Sequence, residues 1–359
     1  MSGSRAFLMA GGGTGGHVIP ALAVARELRR RGQRPFFVGT KTGLEARLAP
    51  AEGFPIEWIE IGGLKRVGPV QTLRTCWQLP ASIARVWRVI GRRRPGAAFS
   101  MGGYVAGPAM LAAWLRRIPM ALMEPNAAPG FTNRRMGRFA ARALVSFPET
   151  AAYFPAGRVE ISGLPVRQEF FDLPAKPRGE VLTVLITGGS QGSRTLNTAA
   201  RESWKLFRQS GLRVRIVHQT GSEAFEALRA EFETCGLEGE VTPFIENMPA
   251  AFAAADLVVC RAGAGAVAEL AAARKPAILS PFPFAADQHQ LRNAEALERA
   301  GAARLAPDQD MNGARLFEEV RRLARQPGAL ERMAAAAGTF ARPDAARRAA
   351  DVLEELAAN

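Results

Sequence analysis

Histidine is the side chain whose ordinary pKa puts proton transfer within reach of neutral pH, and this 359-residue chain holds only three. His17 closes a glycine-rich turn, His218 lies in an apolar run, and His289 sits in the polar stretch DQHQLRNA (287–294). A histidine at the end of such a turn can take a proton from a hydroxyl beside whatever the turn holds. The turn places Gly11, Gly13 and Gly16 in the pattern G-x-G-x-x-G. Glycines there let the backbone bend sharply, so that N–H groups at a helix start can meet a phosphate. GGSQGSRTLN (188–197) and CRAGAGAVAEL (260–270) repeat the form, each after an apolar run and before a helical pattern. Three such turns make phosphate the expected guest.

Several chemistries fit less well. A nicotinamide dinucleotide site needs an acid at the end of the second strand. Here that strand ends FFVGTKTG, with no acid before Glu45. Lys41 could meet a 2′-phosphate, so the first turn alone leaves NADP open. No G-K-[ST] follows any turn, which sets aside a Walker ATPase. Cys76, Cys235 and Cys260 are isolated, so neither a disulfide framework nor a zinc site is expected. Asp308 and Asp310 have D-x-D spacing but lie in the turn-rich APDQDMNG (306–313), read as a linker rather than a metal site. No cofactor and no metal are expected. A nucleotide sugar is the ligand that remains.

These residues need a scaffold that delivers turns at strand ends. Short β-branched or aromatic runs alternate with Ala/Leu/Arg helical patterns, which reads as repeated βαβ units with parallel sheets. Strands are expected at 5–10, 34–39, 97–101, 119–123 and 143–147, and again at 181–188, 214–220, 240–245, 256–260 and 275–282. A Pro- and Gly-containing stretch at 163–180 separates the two series. The expected fold is therefore two doubly wound, Rossmann-like parallel-sheet domains. Residues 1–165, completed by a C-terminal helix at 343–359, form the first, and 166–342 the second.

The net charge of +14 is one-sided. Residues 1–166 hold 23 Lys and Arg against 8 Asp and Glu, whereas 167–359 hold 24 against 25. Between Glu60 and Glu124 there are ten basic residues and no acidic one. Such a field attracts an anionic partner. No zinc-finger or RNP-like motif supports nucleic acid, and no apolar run reaches the roughly 20 residues of a spanning helix. No signal peptide is visible, so a cytosolic address is expected.

In order along the chain, GGGTGGHVIPALAVA (11–25), MGGYVAGP (101–108), EPNAAPGFTN (124–133), GLPVR (163–167), GGSQGSRTLN, CRAGAGAVAEL and DQHQLRNA make up a specific pattern. The chain resembles the MurG family of bacterial N-acetylglucosaminyltransferases over nearly its full length. The resemblance implies a GT-B fold with its two domains facing across a cleft, UDP-GlcNAc as donor and lipid I as acceptor. The product would be lipid II, for peptidoglycan synthesis. It also implies peripheral attachment to the cytoplasmic face of the inner membrane. Another GT-B UDP-sugar transferase with a different acceptor is the alternative.

Carried over residue by residue, the resemblance places Ile245 beside the uracil and Glu269 on the ribose hydroxyls. Ala264, Gly265, Ala266, Val267 and Ala268 would form a loop holding the nucleotide at a helix start. Ser190 would contact the diphosphate, with Arg167 adding positive charge. Asn126, Gln288 and Gln290 would read the sugar. Thr14, Gly15 and Gly16 would contact the donor and help seat the acceptor pyrophosphate. The sequence departs from the family's usual residues at Met123, Pro125, Leu164 and Ala262.

Inverting transfer needs a base for the acceptor hydroxyl, and His17 is the candidate, with Glu124 as the alternative. Helix N-termini can stabilise the departing diphosphate. For the membrane side, 64–94 is the expected surface. Ile83, Val86, Trp87 and Ile90 should share one helical face opposite Arg85, Arg88 and Arg92, with a loop around Trp77 meeting anionic lipid.

Overall fold

The computed structural model describes residues 4–62, 69–177 and 179–358, without the side chains of 69–74 and 76. The chain divides into two compact units. Unit 1 comprises Met1–Pro165 with Arg342–Asn359, and unit 2 comprises Val166–Ala341.

Unit 1 is built on seven strands, β1 (Ala6–Gly11), β2 (Arg34–Gly39), β3 (Ile56–Trp58), β4 (Ala97–Gly102), β5 (Met120–Glu124), β6 (Arg142–Val145) and β7 (Val159–Ile161). They line up as β3-β2-β1-β4-β5-β6-β7, all parallel. Its helices are α1 (Gly15–Arg30), α2 (Glu45–Ala51), α3 (Pro69–Arg93), α4 (Ala106–Leu115) and α5 (Phe131–Met136). Helices on both faces explain why β1, β4 and β5 are buried along their whole length and read as continuous apolar runs.

Unit 2 repeats the plan with β8 (Leu182–Thr187), β9 (Val214–Gln219), β10 (Glu238–Thr242), β11 (Leu257–Cys260), β12 (Ala277–Leu279) and β13 (Ala303–Leu305). The order is β10-β9-β8-β11-β12-β13, again parallel. Helices α6 (Arg194–Gln209), α7 (Phe225–Cys235), α8 (Met248–Ala254), α9 (Ala264–Ala272), α10 (His289–Arg299), α11 (Gly313–Arg325) and α12 (Ala329–Gly338) cover it. The last helix, α13 (Ala345–Ala358), belongs to unit 1, where it packs on α1 and β4. Arg31 fixes it through Asp351 at 2.6 Å and Glu354 at 2.8 Å.

Each strand order reverses beside the unit's first strand, between β1 and β4 and between β8 and β11. Connections leave such a pair toward opposite faces, which opens a crevice at the strands' carboxyl ends. The glycine-rich turns follow these strands. The three strands the sequence did not announce, β3, β7 and β13, are three-residue edge strands and only partly buried.

Helix α3 corrects part of the membrane reading. The first residues of the expected surface, 64–68, lie outside the described residues. The helix continues through Pro80, so Trp77 stands on it and not in a loop, 86% exposed. Val86, Val89 and Ile90 are buried, but Trp87 is exposed at the edge of that face, its ring covered by the Arg116 guanidinium at 4.1 Å. Val89 follows Val86 by three positions, nearly one turn, whereas Trp87 falls about a hundred degrees round the helix from Val86.

Candidate active site

In unit 2 the second glycine turn leaves β8 and enters α6. Gly192 has φ +74, and a Cβ there would lie 1.8 Å from the Thr220 carbonyl oxygen, so only glycine fits. Ser190 is exposed at the tip of this turn. Ser193 caps α6 by accepting the Leu196 N–H. The third turn leaves the neighbouring strand β11 and enters α9 at Ala264. Ala264 to Ala268 are therefore the opening residues of a helix, not a loop. Glycine and alanine there keep the helix start free of bulk, and its first N–H groups lack partners within the helix.

Arg261 binds these pieces together. Its guanidinium donates to Ser193 Oγ at 2.7 Å and to the Ser280 carbonyl at 3.0 Å, and pairs with Asp308. Asp308 also accepts from Thr195 Oγ1 at 3.1 Å. The aspartate is thus one wall of a clamp around the two turns.

Glu269 lies beyond the first turn of α9, so it is no helix-dipole acid. It sits near the buried Cys260, whose thiol is pushed up to about 12 by burial and by the Glu269 charge. Burial pushes the Glu269 carboxyl up to about 7, opposed by the charge of Arg167. No hydrogen bond reaches this carboxylate among the described residues. A ribose diol would supply two O–H donors to it.

Ile245 follows β10, which ends at Thr242, earlier than expected. Its N–H donates to Gln219 Oε1 at 2.8 Å, and Gln219 Nε2 donates to the Gly189 carbonyl at 2.8 Å and to Thr187 Oγ1 at 3.1 Å. Gln219 thus joins the segment carrying Ile245 to the turn carrying Ser190. Sequence reasoning passed over it; the available signal was a polar residue at the carboxyl end of a strand that carries Val214, Ile216 and Val217. Gln290 accepts the Phe282 N–H at 2.9 Å and borders Gly263. Gln288 is exposed, and with Asp287 it holds φ near +50, a strained pair of non-glycine residues ahead of α10. His218 is buried against Asn197 at 3.0 Å and driven down to about 4, which makes it structural.

In unit 1 the first glycine turn runs from β1 into α1, with Thr14 preceding Gly15 and Gly16. Thr14 Oγ1 lies 3.1 Å from His17 Nδ1. The His17 ring also approaches Gly103, where a Cβ would come within 3.4 Å of Nδ1. Thr132 Oγ1 donates to the Gly103 carbonyl at 2.9 Å, and Asn133 Nδ2 to Glu124 Oε2 at 3.0 Å. His17 and Asn126 thus belong to one contiguous patch.

Glu124, the alternative base, lies deep in this patch. It is 1% exposed and accepts the Asn126 N–H, Asn126 Nδ2, the Gly130 N–H and Asn133 Nδ2. Those donors make the carboxylate an anchor for the loop that carries Asn126, while burial pushes its pKa up. Met123, Leu164 and Ala262 are buried and apolar. Each departure from the usual family residue thus puts an apolar side chain where a polar one would need its own partner.

Two doubly wound parallel sheets in tandem, glycine turns at both switch points and a carboxylate beside one of them define the GT-B class of sugar-nucleotide glycosyltransferases. Residues 7–145 match the glycosyltransferase family 28 N-terminal domain and residues 183–349 its C-terminal domain, and the chain belongs to that family. It is 64% identical over 354 residues to the UDP-N-acetylglucosamine--N-acetylmuramyl-(pentapeptide) pyrophosphoryl-undecaprenol N-acetylglucosamine transferase of Solibacter usitatus (strain Ellin6076), covering 99% of this chain and 97% of the relative. The similarly named protein of Myxococcus xanthus (strain DK1622) is 41% identical, over 97% and 92% of the two chains. The crystal structure of Acinetobacter baumannii MurG superposes with a TM-score of 0.82 at 34% identity, over 98% of this chain and 100% of that one.

Proposed function

We infer that the chain transfers N-acetylglucosamine from UDP-GlcNAc to the 4-hydroxyl of the MurNAc residue of lipid I, giving lipid II and UDP. The observation that carries the donor assignment is the Glu269 carboxyl, buried on α9 without a hydrogen bond among the described residues and facing the charge of Arg167. Its expected partners are the ribose hydroxyls. Ser190 and the first N–H groups of α6 and α9 receive the diphosphate, with Arg167 adding charge, and Ile245 borders the uracil. Gln288 and Gln290 read the sugar.

In the reaction the acceptor oxygen attacks the anomeric carbon as the bond to the diphosphate oxygen breaks, so the configuration inverts to β-1,4. His17 takes the hydroxyl proton. When Nδ1–H donates to Thr14 Oγ1, Nε2 presents the lone pair. The leaving diphosphate gains negative charge where the helix N-termini and backbone N–H groups can meet it. Unit 2 binds the donor, and unit 1 receives the acceptor through Thr14, Gly15 and Gly16.

Unit 1 also presents a surface for a bilayer at the inner face of the cytoplasmic membrane. Trp77, Trp87, Trp114 and Leu115 are all exposed on α3 and α4, and Arg85 and Arg88 are exposed on α3. Aromatic side chains favour the membrane interface, and arginines favour anionic headgroups. No helix among the described residues is long and apolar enough to cross a membrane.

The test is transfer of labelled GlcNAc from UDP-GlcNAc to a short-chain lipid I analogue in detergent. Formation of the β-1,4 product supports the reading. UDP binding without transfer would redirect the search to another acceptor, and absence of UDP binding would refute the donor assignment.

A further inference from the structure

The first glycine turn closes on a carboxylate of its own unit. Glu45, the first residue of α2, is fully buried. Its Oε2 accepts the Gly13 N–H at 2.8 Å, and its Oε1 accepts the Thr40 N–H at 2.9 Å and Thr40 Oγ1–H at 3.0 Å. No lysine, arginine or histidine pairs with it among the described residues. A buried carboxylate without a counter-ion is disfavoured unless its oxygens are met by donors, and here three donors from two strand ends meet them.

The chain leaves room for this group at three places. A Cβ at Gly12 would fall 2.8 Å from Glu45 Oε1, one at Gly39 would fall 2.5 Å from its Cγ, and one at Gly43 would fall 2.1 Å from Oε2. Tyr104 closes the far side. Its ring lies 2.7 Å from where a Gly13 Cβ would stand, and its hydroxyl lies 3.3 Å from Thr40 Oγ1. Gly13 itself has φ +91, a conformation the Glu45 bond helps to hold.

We propose that Glu45 is the positioning residue of the first glycine turn: an internal anion that occupies the Gly13 N–H and so fixes where a substrate anion can bind. With that N–H committed, the donors left for a ligand are those of Gly15 and Gly16, in the first turn of α1, which have no partner within the helix. The anion seat is thereby moved from the glycine turn to the helix mouth, in the same first turn of α1 as His17. A dinucleotide pyrophosphate lying along the turn would meet the Glu45 charge instead of a free N–H. The turn therefore arrives preformed for one phosphate group of the acceptor pyrophosphate presented at the helix start, and binding needs no rearrangement of the loop. The substrate side of this inference rests on the reading that unit 1 receives the acceptor pyrophosphate.

Glu45→Gln keeps the shape and one acceptor but sets an NH2 against either Gly13 or Thr40. The expected result is a KM for the lipid I analogue raised about tenfold or more, with the KM for UDP-GlcNAc and the direct affinity for UDP unchanged. Exchange of the Gly13 amide with solvent deuterium should accelerate in the same variant. Thr40→Val, which removes one donor and keeps the shape, should move the acceptor KM in the same direction by a smaller factor. It supplies the answer if Glu45→Gln does not fold. Acceptor KM within twofold of the parent in a folded variant overturns the proposal. A raised KM for UDP-GlcNAc with an unchanged acceptor KM would instead overturn the acceptor assignment, leaving the loop serving the donor.

Discussion

Arg261 donates to the hydroxyl of Ser193 at 2.7 Å, and through that bond the third glycine turn is tied to the second. The same guanidinium reaches Asp308 and the Ser280 carbonyl, so one residue fixes the ends of three neighbouring strands. A lysine cannot make this set of contacts, because the planar fork is lost. Arg261→Lys should weaken UDP binding by roughly tenfold to a hundredfold, the equivalent of about 1.5–3 kcal/mol for a charged hydrogen bond. Titration calorimetry with UDP measures this directly. Affinity within twofold of the parent would show that the clamp does not shape the donor site.

On the proposed donor assignment, UDP binding should depend on pH in a definite direction. In the free protein the Glu269 carboxyl is pushed up to about 7, and ribose O–H donors favour the ionised form, lowering its pKa in the complex. Binding should be strongest above about pH 7 and weaken as pH falls below it, by up to about tenfold per unit. Glu269→Gln should abolish this component, separating it from titration of the nucleotide's own phosphate.

The same carboxyl acts on stability with the opposite sense. Its folded-state pKa lies above the ordinary 4.5, so its contribution to stability is present in full below pH 4.5 and is lost as pH rises through about 7. Glu269→Gln should therefore raise the Tm of the ligand-free protein at pH 8 while changing it little at pH 4.5. An equal shift at both pH values would mean that packing, not ionisation, sets the effect.

His17→Ala should lower kcat by about a hundredfold to ten-thousandfold, the usual range for a lost general base, with UDP affinity intact. Thr14→Val removes the hydroxyl 3.1 Å from Nδ1. It should lower kcat by a smaller factor and displace the acidic limb of the kcat/KM profile. Full activity in His17→Ala would remove the histidine from the proton transfer.

Trp77→Ala combined with Arg85→Gln and Arg88→Gln should reduce partition onto anionic vesicles. Each arginine should account for roughly fivefold, from about 1 kcal/mol per basic residue near the headgroups. Turnover of a short-chain acceptor in detergent should not change. Undiminished vesicle binding would move the membrane face elsewhere on the molecule.

Much of this was legible in the sequence because parallel strands buried on both faces are continuous apolar runs. Phe7 to Ala10 and Leu257 to Cys260 could hardly be anything else, and the glycine turns mark their carboxyl ends. β3, β7 and β13 were illegible for the converse reason: three residues at a sheet edge, half in water, carry no period. The helical start at Ala264 was misread because small residues that leave a helix mouth open look like loop residues in one dimension. Long-range polar contacts were the main loss. Gln219 joins Gly189 to Ile245, and Glu45 joins Thr40 to Gly13, but neither residue type announces a partner so far along the chain.

The return of α13 to unit 1 has a consequence for how the chain is made. Unit 2 is continuous, Val166 to Ala341, and is complete before α13 has been made. Unit 1 is begun first and finished last, since Arg31 must wait for Asp351 and Glu354. During synthesis unit 2 can fold as a domain of its own. Unit 1 stays open along α1 until Ala345–Ala358 has been made, so the surface that exposes Trp77 and Trp114 is joined to a finished scaffold only after unit 2 is complete.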